Sequence, residues 1–210
     1  HLLLQFITEF LPAASERPPV QAIPAGGNGD RPSRKASDEE PVSLFVFKPL
    51  NDPFAGRISL FKLVSGLLKT DATVQNFTRN TAEKLAHLSI SQGKNLEPVN
   101  ELHAGDIGAV AKLRDTLTGD TLGDKSAPIQ YPPVELPEPA ITFAIEPKTR
   151  ADEDKLSNGI HKLMEEDAML RFFRDEQTKE FLIAGTGQQH IEAVVSKLKK
   201  RYHTEVNLKA

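Results

Sequence analysis

A proline-rich segment divides this chain of 210 residues. Residues 132–139 contain four prolines in eight positions. Proline removes a backbone donor and restricts the residue before it, so such a segment is extended and stiff. We therefore expect a connector between two separately folding parts, and the chain length accommodates two small domains.

Composition excludes several kinds of site. The chain has no cysteine, which excludes disulfide scaffolds, thiolate zinc sites, iron–sulfur clusters and cysteine nucleophiles. Its 26 basic and 29 acidic residues give a formal net charge of −3, so nucleic acid would have to be bound through local basic patches. The hydrophobic content of 39% is typical of a soluble globular protein. We predict a cytoplasmic monomer without membrane contact.

The first 40 residues divide into a short helix and a linker. Apolar residues at positions 2, 3, 6, 7, 10 and 11 have helical spacing, and Pro12 ends the helix. The run is too short to cross a bilayer and lacks the basic leading region of a signal peptide. Residues 12–40 contain five prolines and three glycines, with few aromatic or β-branched residues. We predict a linker or surface loop there.

Residues 41–133 alternate short β-rich runs with turn signals. This pattern is typical of a small antiparallel barrel or sandwich, so we predict an all-β domain. The predicted strands are 42–48, 56–65, 72–76, 83–88, 106–113 and 129–134.

Residues 134–210 alternate between periods of two and 3.6. Strands are predicted at 141–145, 170–174, 180–184 and 204–208. The two intervening helices have apolar stripes of Leu156, Ile160, Leu163 and Met164, and of Ile191, Val194, Val195 and Leu198. Thr149 with Asp152 three residues later resembles a capping box at the first helix. The βαββαβ order predicts an α+β ferredoxin-like domain, with both helices on one face of a four-stranded antiparallel sheet.

No catalytic or metal site is predicted. Gly93-Lys94 lacks the first glycine of a phosphate loop. Gly185 and Gly187 lack the third glycine of a dinucleotide fingerprint, and they favour close strand-to-helix packing, with an anion site as the alternative. His161 and Glu165 have the spacing of a weak metal pair, although a solvated helix face is the simpler interpretation. The basic run 197–201 either complements the helix dipole or contacts RNA phosphates.

Longer motifs carry a family resemblance. Residues 52–66, 102–110 and 113–122 resemble the second domain of bacterial translation elongation factor G. Residues 144–152, 164–167 and 185–192 resemble its third domain. Residues 2–12 are similar to the final helix of its GTPase domain, and the resemblance is collinear over residues 41–210.

The resemblance implies the middle of a GTP-driven factor that binds the ribosome and moves tRNA and mRNA. Residues 1–40 would be the end of the GTPase domain and a linker, residues 41–133 a translation-factor β-barrel, and residues 134–210 a ferredoxin-like third domain. In this family the barrel contacts small-subunit ribosomal RNA, and the third domain contacts the small subunit and relays the nucleotide state. The expected partners are ribosomal RNA, ribosomal protein and the parent's GTPase domain. GTP and magnesium are expected for the full-length parent, but no cofactor is expected for this fragment, which would be inactive alone.

Departures from the family pattern indicate a divergent paralogue. The usual Gly-Glu-Leu-His-Leu-Glu is Gly-Gln-Gln-His-Ile-Glu at 187–192, and residues 80–95 are unlike the common form. A ribosomal protection protein and a release-factor relative share this architecture. A stand-alone protein- or metabolite-binding module is the alternative from another class.

Eight residues are predicted to contact the ribosome. Arginine and lysine can neutralise phosphates, whereas a turn at Gly56 and an exposed strand position at Lys62 are the alternatives. The predicted contacts are Gly56, Arg57 and Lys62 in the barrel, Lys148, Thr149 and Arg150 at the start of the first helix of the third domain, and Gly185 and Gly187 at the second.

Overall fold

The structure is a computed structural model that describes residues 1–24, 31–52, 56–93, 95–149 and 152–209. The chain divides into two compact units, His1–Pro133 and Val134–Ala210, and the division falls within the proline-rich segment. No helix in the described ranges is long and apolar enough to cross a membrane.

The first unit consists mainly of β-strands. It begins with helix α1 (Leu2–Phe10) and a 3-10 turn (Ala14–Glu16). The strands that follow are β1 (Val20–Gln21), β2 (Ile23–Pro24), β3 (Ser33–Arg34), β4 (Ser43–Asp52), β5 (Gly56–Ser65), β6 (Leu68–Lys69), β7 (Ala72–Asn76), β8 (Thr81–Leu85), β9 (Leu88–Gln92), β10 (Asn95–Val99), β11 (Glu101–Leu102), β12 (Ile107–Ala111), β13 (Thr121–Gly123) and β14 (Ile129–Gln130).

Eight of these strands form one antiparallel sheet in the order β10-β9-β12-β5-β4-β13-β7-β8. Strands β4 and β5 are the longest, at ten residues each, and pair from Ser43 opposite Ser65 to Asp52 opposite Gly56. Successive side chains in a strand point to opposite faces, which explains why Phe61 and Leu63 are fully buried while Lys62 between them is exposed. The core of the unit collects buried side chains from most strands of this sheet.

Part of the predicted linker packs on this unit. Strand β1 pairs with β3, strand β2 pairs with β14, and Ala22 between β1 and β2 is 1% exposed. Ala22 joins Val64, Ile129 and Tyr131 in a small second core. The linker prediction is therefore wrong for these strands. Composition did not show them, because β1 and β3 have only two residues each and the partner of β2 lies about a hundred residues later in the chain.

The strand predictions for the first unit are confirmed in part. The bounds of β5 and β7 are those predicted. The predicted strand 83–88 is wrong, because it joins the end of β8 to the start of β9. Strands β6, β10, β11 and β13, of two to five residues, were not predicted. Strands of two or three residues carry too little alternation to be distinguished from turns, and β10 contains a proline, which disfavours a strand.

The second unit has the predicted order of elements. It comprises β15 (Ile141–Pro147), α2 (Glu153–Glu166), β16 (Arg171–Arg174), β17 (Phe181–Gly185), α3 (Gln188–Tyr202) and β18 (Val206–Lys209). Its four strands form an antiparallel sheet in the order β16-β17-β15-β18. Leu156, Ile160, Leu163, Ile191, Val194 and Leu198 from the two helices share a core with Ile145 and Ile183 of the sheet.

The start of α2 differs from the predicted capping box. Asp152 is itself the N-cap residue, and its side chain makes no capping hydrogen bond to the helix backbone. The Thr149 hydroxyl instead donates to Asp152 Oδ2 at 2.6 Å, and the Asp152 N–H donates to the Thr149 carbonyl at 3.0 Å. The two residues bond to each other rather than forming a reciprocal cap, because the carboxylate accepts from the hydroxyl.

Candidate nucleic-acid interface

Lys62 lies on the outward face of the large sheet. Its neighbours across the sheet are Phe45 on β4 and Ile107 on β12, and Ile107 is 55% exposed. Within the described ranges, Lys62 has no ion-pair partner. This position suits contact with a phosphate, since the ammonium group projects from a rigid central strand.

Gly56 and Arg57, by contrast, begin β5. Gly56 has a φ of +77°, a left-handed conformation that favours glycine, and a Cβ there would meet no atom within 4 Å. Arg57 lies five residues before Lys62, which separates their Cα atoms by about 17 Å along an extended strand. The structure therefore does not combine the three first-unit candidates into one site.

Arg57 contacts the chain that follows β12. Its Nη2 donates to the carbonyl oxygen of Leu113 at 2.6 Å and to that of Arg114 at 2.7 Å. The N–H of Lys112 donates in turn to the Arg57 carbonyl at 2.9 Å. The half-buried guanidinium thus positions residues 112–114. Sequence reasoning considered only phosphate as its partner, because carbonyl acceptors from a distant segment are invisible in a local motif.

Residues 112–120, which we call the 112–120 loop, connect β12 to β13 and are held by a buried glutamate. Glu83 is 3% exposed. Its carboxylate accepts from the N–H groups of Arg114 and Asp115 at 3.1 and 2.9 Å, and from the Thr116 hydroxyl at 2.9 Å. Three donors satisfy a charge that would otherwise be costly to bury.

A second buried carboxylate closes the same loop. Asp120 is 2% exposed, and its Oδ2 accepts from Asn76 Nδ2 at 2.9 Å, Arg79 Nε at 2.8 Å and the Leu117 N–H at 2.9 Å. With Arg57 and Glu83, these bonds fix the loop at both ends. The loop presents two exposed cations, Lys112 and Arg114, which sequence reasoning missed. The available signal was the family motif at 113–122, which contains Arg114 and directly follows Lys112.

In the second unit, two lysines converge on Glu205. Lys148 Nζ lies 2.8 Å from Glu205 Oε2, and Lys199 Nζ lies 2.7 Å from Oε1. Hydrogen bonds from Lys148 and then Lys199 lower the pKa of Glu205 to about 2. The tertiary structure thus places Lys199, from the basic end of α3, beside the predicted contact Lys148.

The other two predicted contacts near the start of α2 are Thr149 and Arg150. The hydrogen bond from Thr149 and then the one from Lys155 lower the pKa of Asp152. The Thr149 hydroxyl therefore already has a partner in the N-cap residue of α2. Arg150 lies outside the described residues.

The two glycines at the start of α3 have different surroundings. Gly185 is buried, and a Cβ there would lie 2.7 Å from His190 Nδ1 and 2.9 Å from Ile191 Cδ1. Gly187 is the N-cap residue, with an extended φ of 172° and no atom within 4 Å of a Cβ. The structure thus requires glycine for packing at 185 and has open space at 187.

His190 joins the two helices of this unit. The Thr186 N–H donates to His190 Nδ1 at 3.1 Å, so the ring proton lies on Nε2, which donates to Asp167 Oδ2 at 2.9 Å. Asp167 is the C-cap residue of α2, and His190 lies in the first turn of α3. This arrangement uses both ring nitrogens within the unit. No cluster of three or more metal-ligating side chains occurs in the part of the chain that the structure describes.

Comparison with known proteins gives the same family for both units. Residues 41–125 match the model for elongation factor G domain 2, and residues 136–210 match that for elongation factor G domain III. Elongation factor G of Mycoplasma genitalium is 38% identical over 209 residues, which is 100% of this chain and 30% of that protein.

A solved structure has a similar fold. The crystal structure of a protein from Thermus thermophilus has a TM-score of 0.80 and 32% identity, and the match covers 99% of this chain and 28% of that one. The chain thus spans less than a third of the length of these two proteins. Two successive segments match two domains of one family in order, and the chain therefore belongs to the elongation factor G family, of which it carries domains 2 and III.

Proposed function

We propose that this chain is the ribosome-binding central part of a translational GTPase that promotes GTP-dependent movement of tRNA and mRNA. The observation that carries the proposal is the match of adjoining segments to domains 2 and III of elongation factor G. GTP and magnesium would be held by other parts of the full-length protein, a cytoplasmic monomer. The stand-alone binding module is not favoured by these matches.

The proposal includes the finer fold of each unit. The eight-stranded sheet around one core supports a translation-factor barrel for the first. The βαββαβ order, with strand order β16-β17-β15-β18, supports a ferredoxin-like domain for the second.

The proposed contacts are with ribosomal RNA phosphates. Lys62, Lys112 and Arg114 would serve this role in the first unit, and Lys148 and Lys199 in the second. All five residues are exposed: Lys62 lies on β5, Lys112 and Arg114 in the 112–120 loop, Lys148 directly after β15 and Lys199 in the last turn of α3. A net charge of −3 makes such local groups, rather than the overall field, the source of attraction.

The test uses the full-length protein with ribosomes. Ribosome-stimulated GTP hydrolysis and movement of mRNA, followed by primer-extension mapping of the ribosome position, are expected together. Hydrolysis without movement would contradict the translocation role and assign the protein another ribosomal task. Absence of co-sedimentation with ribosomes would contradict the binding role.

A further inference from the structure

Lys148 and Lys199 reach one carboxylate from two different elements. Lys148 directly follows β15, and Lys199 lies in the last turn of α3. Each ammonium group binds a different oxygen of Glu205, at 2.8 and 2.7 Å. Two positive charges and one negative charge leave the cluster with an excess positive charge.

The backbone fixes these residues independently of their side-chain pairs. The Lys148 N–H donates to the Glu205 carbonyl at 3.0 Å. Thr204, just before Glu205, is fully buried, and its N–H donates to the Leu198 carbonyl at 3.3 Å. The two lysine backbones would therefore keep their positions if the carboxylate were removed.

The ion pairs themselves are exposed. The side chains of Lys148, Lys199 and Glu205 are 52%, 66% and 45% exposed. Exposed ion pairs contribute little to folding stability and exchange readily with other ions. A phosphodiester also carries one negative charge on two oxygens, so it can replace the carboxylate between the two ammonium groups.

We propose that Lys148 and Lys199 form a phosphate-binding site for RNA and that the Glu205 carboxylate competes with the phosphate for it. The inference rests on the proposed function, which names ribosomal RNA as the ligand. A built-in competitor lowers the affinity without removing the site, which suits a factor that must leave the ribosome after each cycle.

The experiment measures binding of a fluorescein-labelled oligoribonucleotide to the 210-residue chain by anisotropy at several salt concentrations. The variants are Glu205→Gln, Lys199→Gln and, as a matched control, Glu146→Gln. Glu146 is also 45% exposed and binds one lysine, Lys209, at 2.7 Å. Both glutamate variants change the net charge equally, so their difference reports the two-lysine site.

Glu205→Gln is expected to bind the oligonucleotide more tightly than both wild type and Glu146→Gln. Lys199→Gln is expected to bind more weakly, with a salt slope smaller by about one. Equal affinities for the two glutamate variants would overturn the inference, and so would an unchanged affinity for Lys199→Gln. Circular dichroism melting establishes that each variant is folded.

A second arm separates this inference from the proposed function. The same substitutions in the full-length protein are tested for co-sedimentation with small ribosomal subunits, and the same order of affinities is expected. Failure of wild type to bind the subunits would contradict the proposed function. Failure of the expected order on the oligonucleotide would contradict the phosphate site itself.

Discussion

Gly185 lies so close to His190 that a Cβ on the glycine would stand 2.7 Å from the imidazole Nδ1. The ring cannot retreat without losing the bonds that its two nitrogens make to Thr186 and Asp167. The glycine therefore permits the close approach of β17 to α3. Close packing therefore explains the glycine at 185 but not the one at 187, although the sequence analysis interpreted both in the same way.

We expect Gly185→Ser to lower the free energy of unfolding by about 1–3 kcal/mol, the usual cost of overpacking. Gly187→Ser should change it by no more than about 0.5 kcal/mol, because serine is well accepted at an N-cap. Urea denaturation monitored by circular dichroism compares the two variants. Equal losses at both positions would contradict the packing role of Gly185.

Arg57→Ala is expected to loosen the 112–120 loop. It removes charged hydrogen bonds to the carbonyls of Leu113 and Arg114, and we expect a loss of about 1–3 kcal/mol in unfolding free energy. Hydrogen exchange should show faster exchange of the amides at 114–117. Lys62→Ala is the control on the same strand and should leave this exchange unchanged; an equal effect of both substitutions would count against a positioning role for Arg57.

Glu83→Gln should also destabilise the first unit. The amide nitrogen introduces donors where the carboxylate accepts three hydrogen bonds, at a cost of about 1–3 kcal/mol. Glu97→Gln on the exposed strand β10 is the matched control, with an expected change below about 0.5 kcal/mol. Urea midpoints measure both, and a tolerated Glu83→Gln would show that the buried charge is dispensable.

The salt dependence of ribosome binding distinguishes contact residues from positioning residues. The sequence predicts that Arg57 contacts the ribosome, but its guanidinium donates to the carbonyls of Leu113 and Arg114. We expect Arg114→Ala in the full-length protein to reduce the slope of co-sedimentation by about one while leaving stability unchanged. Salt-independent binding of wild type would contradict phosphate contacts altogether.

The pair formed by His103 and Asp38 predicts a pH dependence. Its Nδ1–Oδ2 distance is 2.7 Å. The hydrogen bond to Asp38 raises the pKa of His103 above 6.5, and the bond from His103, followed by the one from the Ala104 N–H, lowers the pKa of Asp38 below 3.8. The contribution of His103 to folding stability is present below pH 6.5 and is lost as pH rises through the folded-state pKa of the histidine. The contribution of Asp38 is lost as pH falls through the folded-state pKa of the aspartate.

His103→Gln should therefore lower the urea midpoint more at pH 5.5 than at pH 9. Both groups are charged at the lower pH, whereas the histidine is neutral at the higher one. His87→Gln, at another exposed histidine of the same unit, is the matched control. A pH-independent effect of His103→Gln would mean that the ion pair contributes nothing to folding.

Much of the second unit was predictable from the sequence. Its helices have apolar stripes of three or four residues and its strands alternate, so each element carries its own periodic signal. The first unit was less predictable. The bounds of β5 were predicted because turn residues lie on both sides of its long β-rich run, whereas β13 has only three residues and depends on its neighbours β4 and β7.

The candidate site shows the same division. Lys62 was predictable as exposed, because Phe61 and Leu63 on either side require burial. The convergence of Lys148 and Lys199 on Glu205 was not predictable, because the two lysines are about fifty positions apart in sequence. The hydrogen bond from Arg57 to the carbonyl of Leu113 was not predictable either. Hydrogen-bond partners far apart in sequence leave no local trace.

The sequence alone determined the family, the two-part organisation and the element order of the second unit. These properties depend on residue type, spacing and periodicity, which are local quantities. Only the tertiary structure decided that Ala22 belongs to a core, that Glu83 and Asp120 hold the 112–120 loop, and that Glu205 lies between two lysines. Each depends on pairing a charged, polar or apolar group with a distant segment, because burial and hydrogen bonding are satisfied in space rather than along the chain.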